Sequence, residues 1–321
     1  MKFVWIAVVL VALFALVIGI NALRAGDTTS TGQRLAHSAG LAQCLDALRP
    51  HWKKAHDEIA AFNAHSGHRR RGVGIGCMWY GIGNTSMSNP SHMRVGLSPA
   101  GTLTLYSGAV DIGQGSNTIM TQIAADALGL PAAQFALVAG DTDLTADAGK
   151  TSASRQTFVS GMAAERAGRD LRRQILRLAN AGPGAELSLE GAKLTVRDGG
   201  EVRRIDLASA GMLMGEGTFD PPTTPLDADG QGVPYATYAF AAQMATVEVD
   251  TELGTVKVLR LVAAHDWAPP RLERKRSDKE NEQCGDRDQY GDQTDGNAEA
   301  RHLGVDQHHR AYGEGDDSAR A

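Results

Sequence analysis

"SGAVDIGQGSNTIMTQIAADALGLP", residues 107–131, joins the end of an alternating strand to the start of a helix through a glutamine set between two glycines. Upstream, Leu103 and Leu105 alternate with threonines in "GTLTLYSGAV", the pattern of a half-buried strand. Downstream, Ile119, Met120, Ile123, Ala124, Ala127 and Leu128 recur at helical spacing until Gly129 and Pro131 stop the helix. A helix that starts at once after a glycine loop directs its unpaired first-turn N–H groups, and the positive end of its dipole, at whatever sits above Gly113 to Ser116. Such a place suits a phosphate or the polar edge of a ring. The Gln114 amide adds a group that donates and accepts together.

The pattern then recurs. "QFALVAGDTD" reads as a second strand and "LTADAGKTSASRQ" as a hydroxyl-rich loop, and from about Ser154 a helix carries Val159, Met162, Ala163, Leu171, Ile175 and Leu178 until Gly182-Pro183. Taken singly, Ser152 and Ser154 read as ordinary N-caps, each contributing about 1 kcal/mol. Two such loops in succession, the second with Lys150, Thr151, Ser152 and Ser154, point towards an anionic cofactor. The predicted fold is mixed α+β from about Gly72 to Asp266. It has strand–loop–helix units over 101–130 and 135–180, with their loops on one side, then hairpins near 187–207 and 237–261.

Further out the signals are structural. In "RRRGVGIGCMWYGIGNTS" the glycines at 72, 74, 76, 81 and 83 form no G-x-G-x-x-G, because Trp79 and Ser86 stand where a glycine is needed. So many glycines in a strand predict close approach by another backbone or a ligand. Between Asn21 and Ala64 a loop leads into helices, with Leu41, Cys44, Leu45 and Leu48 in period, a break permitted at Pro50 and the pattern resumed at Trp52. His51, His56, His65 and His68 have no metal-ligand spacing. A net charge of -5 and two short arginine-containing runs argue against a nucleic-acid surface. The 3 cysteines, far apart and without a C-x-x-C, read as free thiols.

The two ends differ from the middle. From Phe3 to Ile20 there is no charge, and a run of about 18 apolar residues reaches the lower limit for a bilayer-spanning helix. With no small-x-small cleavage site it reads as an uncleaved membrane anchor. After Trp267 the aliphatics thin to Leu272, Leu303 and Val305, so residues 267–321 are expected to be a disordered tail, and the abruptness of the switch suggests an altered reading frame.

"GAVDIGQGSNTIMTQIAADALGL", "GDTDLTADAGKTSASRQTFVSGMAAERAG" and "YATYAFAAQMATVEVDTELGTVKVLRLVAAHD" together resemble the molybdopterin-binding large subunit of the xanthine dehydrogenase and aldehyde oxidase family, over about Asn21 to Asp266. The resemblance implies a molybdopterin cofactor, with the cytosine dinucleotide form as one option. It implies that the cofactor is held by Gly113, Gln114, Gly115 and Ser116 on one side and by Thr151, Ser152 and Ser154 on the other, with Ala153 near the metal. Asn84 in "YGIGN" would lie on the substrate side. It further implies hydroxylation of small aldehydes or aza-aromatic carbons, with electrons leaving through iron–sulfur clusters on a partner subunit and an FAD subunit beyond it. The family's upstream half-site and its catalytic glutamate, in a G-x-G-E context, have no match here, and Glu216 and Glu314 read as solvated loop residues. Two functions follow: a molybdenum hydroxylase chain inactive alone, or a membrane-anchored, catalytically silent binding or assembly protein. A nucleotide-binding reading rests on glycines alone.

Overall fold

The computed structural model describes residues 21–36 and 39–266, and the backbone of Glu299–Val305. In chain order the helices are α1 (Leu41–His65), α2 (Ser116–Leu128), α3 (Gly161–Leu178) and the short α4 (Leu207–Ala210). The first strands are β1 (Arg69–Gly81), β2 (Ser91–Leu97), β3 (Leu103–Ser107) and β4 (Phe135–Ala139). They are followed by β5 (Glu186–Glu190), β6 (Lys193–Asp198), β7 (Glu201–Asp206), β8 (Leu213–Phe219), β9 (Tyr238–Asp250), β10 (Thr255–Asp266) and β11 (Glu299–Val305). The chain divides into two compact units. One is Met1–Gly81, Ala228–Gly232 and Thr237–Ala321; the other is Ile82–Asp227 with Val233–Ala236.

In the first unit α1 lies on a sheet of order β1-β9-β10-β11. Cys44, Leu48 and Ala55 of α1 close over Ala242, Met244, Val262 and Ala264 of the sheet. The break expected at Pro50 does not occur: α1 is one helix of 25 residues with Pro50 inside it. A proline removes one helical hydrogen bond and strains one turn, but apolar residues buried on both sides of it, Leu48 and Ala55, hold the two halves to one surface. The Cys44 thiol, sealed in that layer, is pushed up to about 11 by burial and by nearby Asp266. At β1, side chains placed on Gly72, Gly74 or Gly76 would meet nothing within 4 Å among the described residues, so no described backbone approaches these three glycines closely. The same sheet corrects part of the tail reading, since Glu299–Val305 is a strand paired in parallel with β10. The apolar segment 3–20 and the rest of the tail lie outside the described residues. Among the described residues no helix is long and apolar enough to cross a membrane.

The second unit holds both strand–loop–helix stretches. Its main sheet runs β4-β3-β2-β8, with β3 and β4 parallel and joined through α2, and β2 antiparallel to both of its neighbours. Met93, Val95 and Leu97, paired in register with Ser107, Leu105 and Leu103, form one buried face. Met120, Ala124 and Leu128 of α2 and Ala163, Ala167, Leu171 and Ile175 of α3 belong to the same core. Gly215 and Gly217 bring β8 against α3, since a Cβ on Gly217 would lie 2.1 Å from the Ala163 carbonyl oxygen. Glu216 between them is an exposed residue of a strand, not of a loop as its sequence suggests. The predicted hairpins appear as the β5-β6-β7 meander and the β9-β10 pair.

Candidate functional site

The loops after β3 and before α3 meet. Thr151 Oγ1 donates to the Val110 carbonyl at 2.8 Å, and Gln114 Nε2 donates to that same oxygen at 3.3 Å. Thr151 in turn accepts from Gln156 Nε2 at 2.9 Å. A third segment joins them: the Gly83 N–H donates to the Ala153 carbonyl at 3.0 Å. Asn84 Nδ2 donates to Asn89 Oδ1 at 3.1 Å. Every one of these residues belongs to the second unit, so the three loops form one cluster within one body.

The sequence-predicted residues divide by what their side chains do there. Gln114 is turned onto its own loop, where Oε1 accepts the Ile112 N–H at 2.6 Å, and the Thr151 hydroxyl ties the two loops together. Ser152 and Ser154 are exposed, and neither caps the helix that follows. Ala153 and Ser154 both lie in the left-handed region, with φ of 52° and 53°. Two such non-glycine residues in succession cost energy that the surroundings must offset, the kind of strain that gathers at functional sites. They also explain why helical structure begins later than expected, with a wide turn at Gln156–Ser160 leading into α3.

The N-terminus of α2 has a partner that the sequence reading did not name. One of its first-turn donors, the Asn117 N–H, is already taken. The Asp111 carboxylate accepts the N–H of Gly113 at 2.8 Å, of Gly115 at 3.3 Å and of Asn117 at 3.1 Å. An aspartate readily bonds the N–H two residues on, and this one reaches beyond it into the first helical turn. Hydrogen bonds from Asn117 and Gly113 hold its carboxyl below the usual carboxylate range. The loop thus already carries a negative charge where an anion was expected. An uncharged ring edge fits it better than a phosphate.

Because the folded pKa of Asp111 lies below the unfolded one, its contribution is complete above about pH 4 and is lost as pH falls through the folded value. Amide-exchange protection at Gly113, Gly115 and Asn117 should therefore fall below pH 4 and be reduced at neutral pH in Asp111→Asn. Protection that is flat from pH 6 to 3 would contradict this.

Room and unmet polarity remain beside these bonds. Gly113 and Gly115 have φ of 103° and 80°, and a Cβ on either would meet nothing within 4 Å. Ser116 Oγ and Asn117 Oδ1, in the first turn of α2, are buried and have no hydrogen-bond partner among the described residues. Buried polar atoms are nearly always satisfied, so a polar ligand approaching this open loop fits the residues present.

Two contributors were not picked out from sequence. Asp111 had a signal, its place two residues before Gly113. Arg155 had none, because a fully buried arginine is rare and its neighbours are hydroxyls and amides.

A family model described as "Molybdopterin cofactor-binding domain" matches residues 47–270. The chain belongs to this family. It is 32% identical over 248 residues to xanthine dehydrogenase of Drosophila subobscura, a stretch that covers 76% of this chain and 18% of that protein. It is 34% identical over 165 residues to the xanthine dehydrogenase molybdenum-binding subunit of Escherichia coli O157:H7, covering 49% of this chain and 21% of that one. The aldehyde oxidoreductase of Desulfovibrio gigas superposes with a TM-score of 0.65 at 26% identity, over 78% of this chain and 26% of that structure. The chain spans about a fifth of the length of these curated relatives. As a family member it has the molybdopterin-binding fold of the xanthine dehydrogenase and aldehyde oxidase group.

Proposed function

We propose that this chain holds molybdopterin at the meeting of its two loops and serves as part of a molybdenum hydroxylase. The observation that carries the reading is the bond from Thr151 to Val110, which fixes the left-handed Ala153–Ser154 pair beside a glycine loop with an open face. Gly113 and Gly115 would admit the cofactor close to the backbone, while Ser116 and Asn117 would supply polar partners. Ala153 and the exposed Ser152 and Ser154 would border it from the second loop, and Asn84 would stand on the substrate side. The bound group would supply the redox chemistry that oxidises an aldehyde or aza-aromatic carbon. The protein's own task is to bind and orient: Gln114 and Thr151 keep the loops in register, and Asp111 fixes the first turn of α2. The relatives' names support an oxidoreductase role, and the electrons would pass to iron–sulfur and FAD subunits. Neither the relatives nor the described residues lend support to a silent membrane-anchored binder.

Purified protein from a host that makes molybdopterin tests this directly. Molybdenum by mass spectrometry and pterin by fluorescence after oxidation should both approach one per chain. Neither above background would overturn the proposal.

A further inference from the structure

Arg155 is 1% exposed, yet among the described residues it forms no salt bridge. Its guanidinium is enclosed by acceptors from two segments far apart in sequence. Nε donates to Asn89 Oδ1 at 2.6 Å, and Nη2 donates to the carbonyls of Asn89 at 2.8 Å and Pro90 at 2.7 Å. Nη1 donates to the carbonyls of Ala148 and Lys150. Burial lowers its pKa, while the charges of Asp147 and Asp220 act against that. The opposite side is fitted to it as well: a Cβ on Gly149 would lie 2.6 Å from Nη1.

We infer that Arg155 is the positioning residue of the candidate site. It clamps the Asn84-bearing segment to the second loop and thereby sets the left-handed Ala153–Ser154 pair. The sequence position is telling, because Arg155 directly follows the strained pair, and the N–H of Gly83 reaches the Ala153 carbonyl from the segment that Arg155 grips. Asn89 Oδ1 receives Arg155 and Asn84 together, so the substrate-side residue is oriented through the same oxygen. Lysine cannot substitute. Its ammonium has three donors and no planar fork, whereas five donors are used here in a fixed geometry. The inference rests on the cofactor assignment only for its functional consequence, not for the clamp itself.

The test uses the full chain with Arg155→Lys, and Leu194→Ala in the β6 core as a variant destabilised away from the loops. Amide exchange at Gly83 and at residues 149–154 should accelerate at least tenfold in Arg155→Lys and stay near wild type in Leu194→Ala, each measured below its own melting temperature. Molybdenum and pterin occupancy should fall at least tenfold in Arg155→Lys alone. In Arg155→Ala, added guanidinium chloride at low, non-denaturing concentration should restore protection where ammonium chloride does not. Exchange in Arg155→Lys matching wild type, or equal acceleration in Leu194→Ala, would overturn the clamp. If wild type carries no cofactor, the cofactor assignment fails while the exchange data still decide the role of Arg155.

Discussion

Gly217→Ala should destabilise the second unit by at least about 3 kcal/mol, the upper part of the range for overpacked cores. A Cβ there would stand 2.1 Å from the Ala163 carbonyl oxygen and 2.4 Å from the Ala167 nitrogen, and both are backbone atoms of α3 that no rotamer change can move. Gly215 repeats the arrangement one step along β8, with the Ala167 oxygen at 2.3 Å and the Leu171 nitrogen at 2.5 Å. The helix would have to lift from the strand, and Ala163, Ala167 and Leu171 would lose their place in the core. Gly184→Ala is the control, because a Cβ there meets nothing within 4 Å and the backbone is not left-handed. Urea denaturation should show a lower midpoint for Gly217→Ala and an unchanged one for Gly184→Ala. Equal midpoints would mean that α3 yields more readily than its packing indicates.

The legible parts of this fold were those with a period. Leu103 and Leu105 alternate, and Ile119 to Leu128 and Val159 to Ile175 recur every three or four residues, so β3, α2 and α3 follow from the chain alone. Gly113 to Ser116 could be placed at a strand–helix junction for the same reason. What pattern could not convey was who satisfies whom. The Asn117 donor in the first turn of α2 looked free because the residue that takes it, Asp111, precedes the loop instead of occupying the cap position. Pro50 looked like a break because local propensity was weighed without the sheet surface that holds Leu48 and Ala55. Of the two partners the glycines of β1 suggested, a described backbone is not the one at Gly72, Gly74 or Gly76, since a Cβ there meets nothing within 4 Å among the described residues. Arg155 was invisible, since its five acceptors come from segments some sixty positions apart.

Gly115→Asn separates two reasons for a glycine in the first loop. Gly115 stands immediately before α2 with φ of 80° and ψ of 20°, a conformation that asparagine adopts far more readily than other side chains. Its N–H, which the substitution keeps, would still reach Asp111. No atom lies within 4 Å of the new Cβ, so packing gives no reason for the fold to suffer, and the melting temperature should stay within about 2 °C of wild type. Gly115→Val, β-branched and forced into the left-handed region, should lose about 1–2 kcal/mol or more from strain alone. If the glycine served conformation only, the asparagine variant would retain cofactor in full. If the open face of the loop is where the pterin lies close to the backbone, the asparagine side chain fills that space and occupancy should drop at least tenfold despite an intact fold. We expect the drop in both variants. Full molybdenum and pterin content in Gly115→Asn would move the cofactor away from this loop, and Gly113, in the same open setting, would then lose its assignment as well.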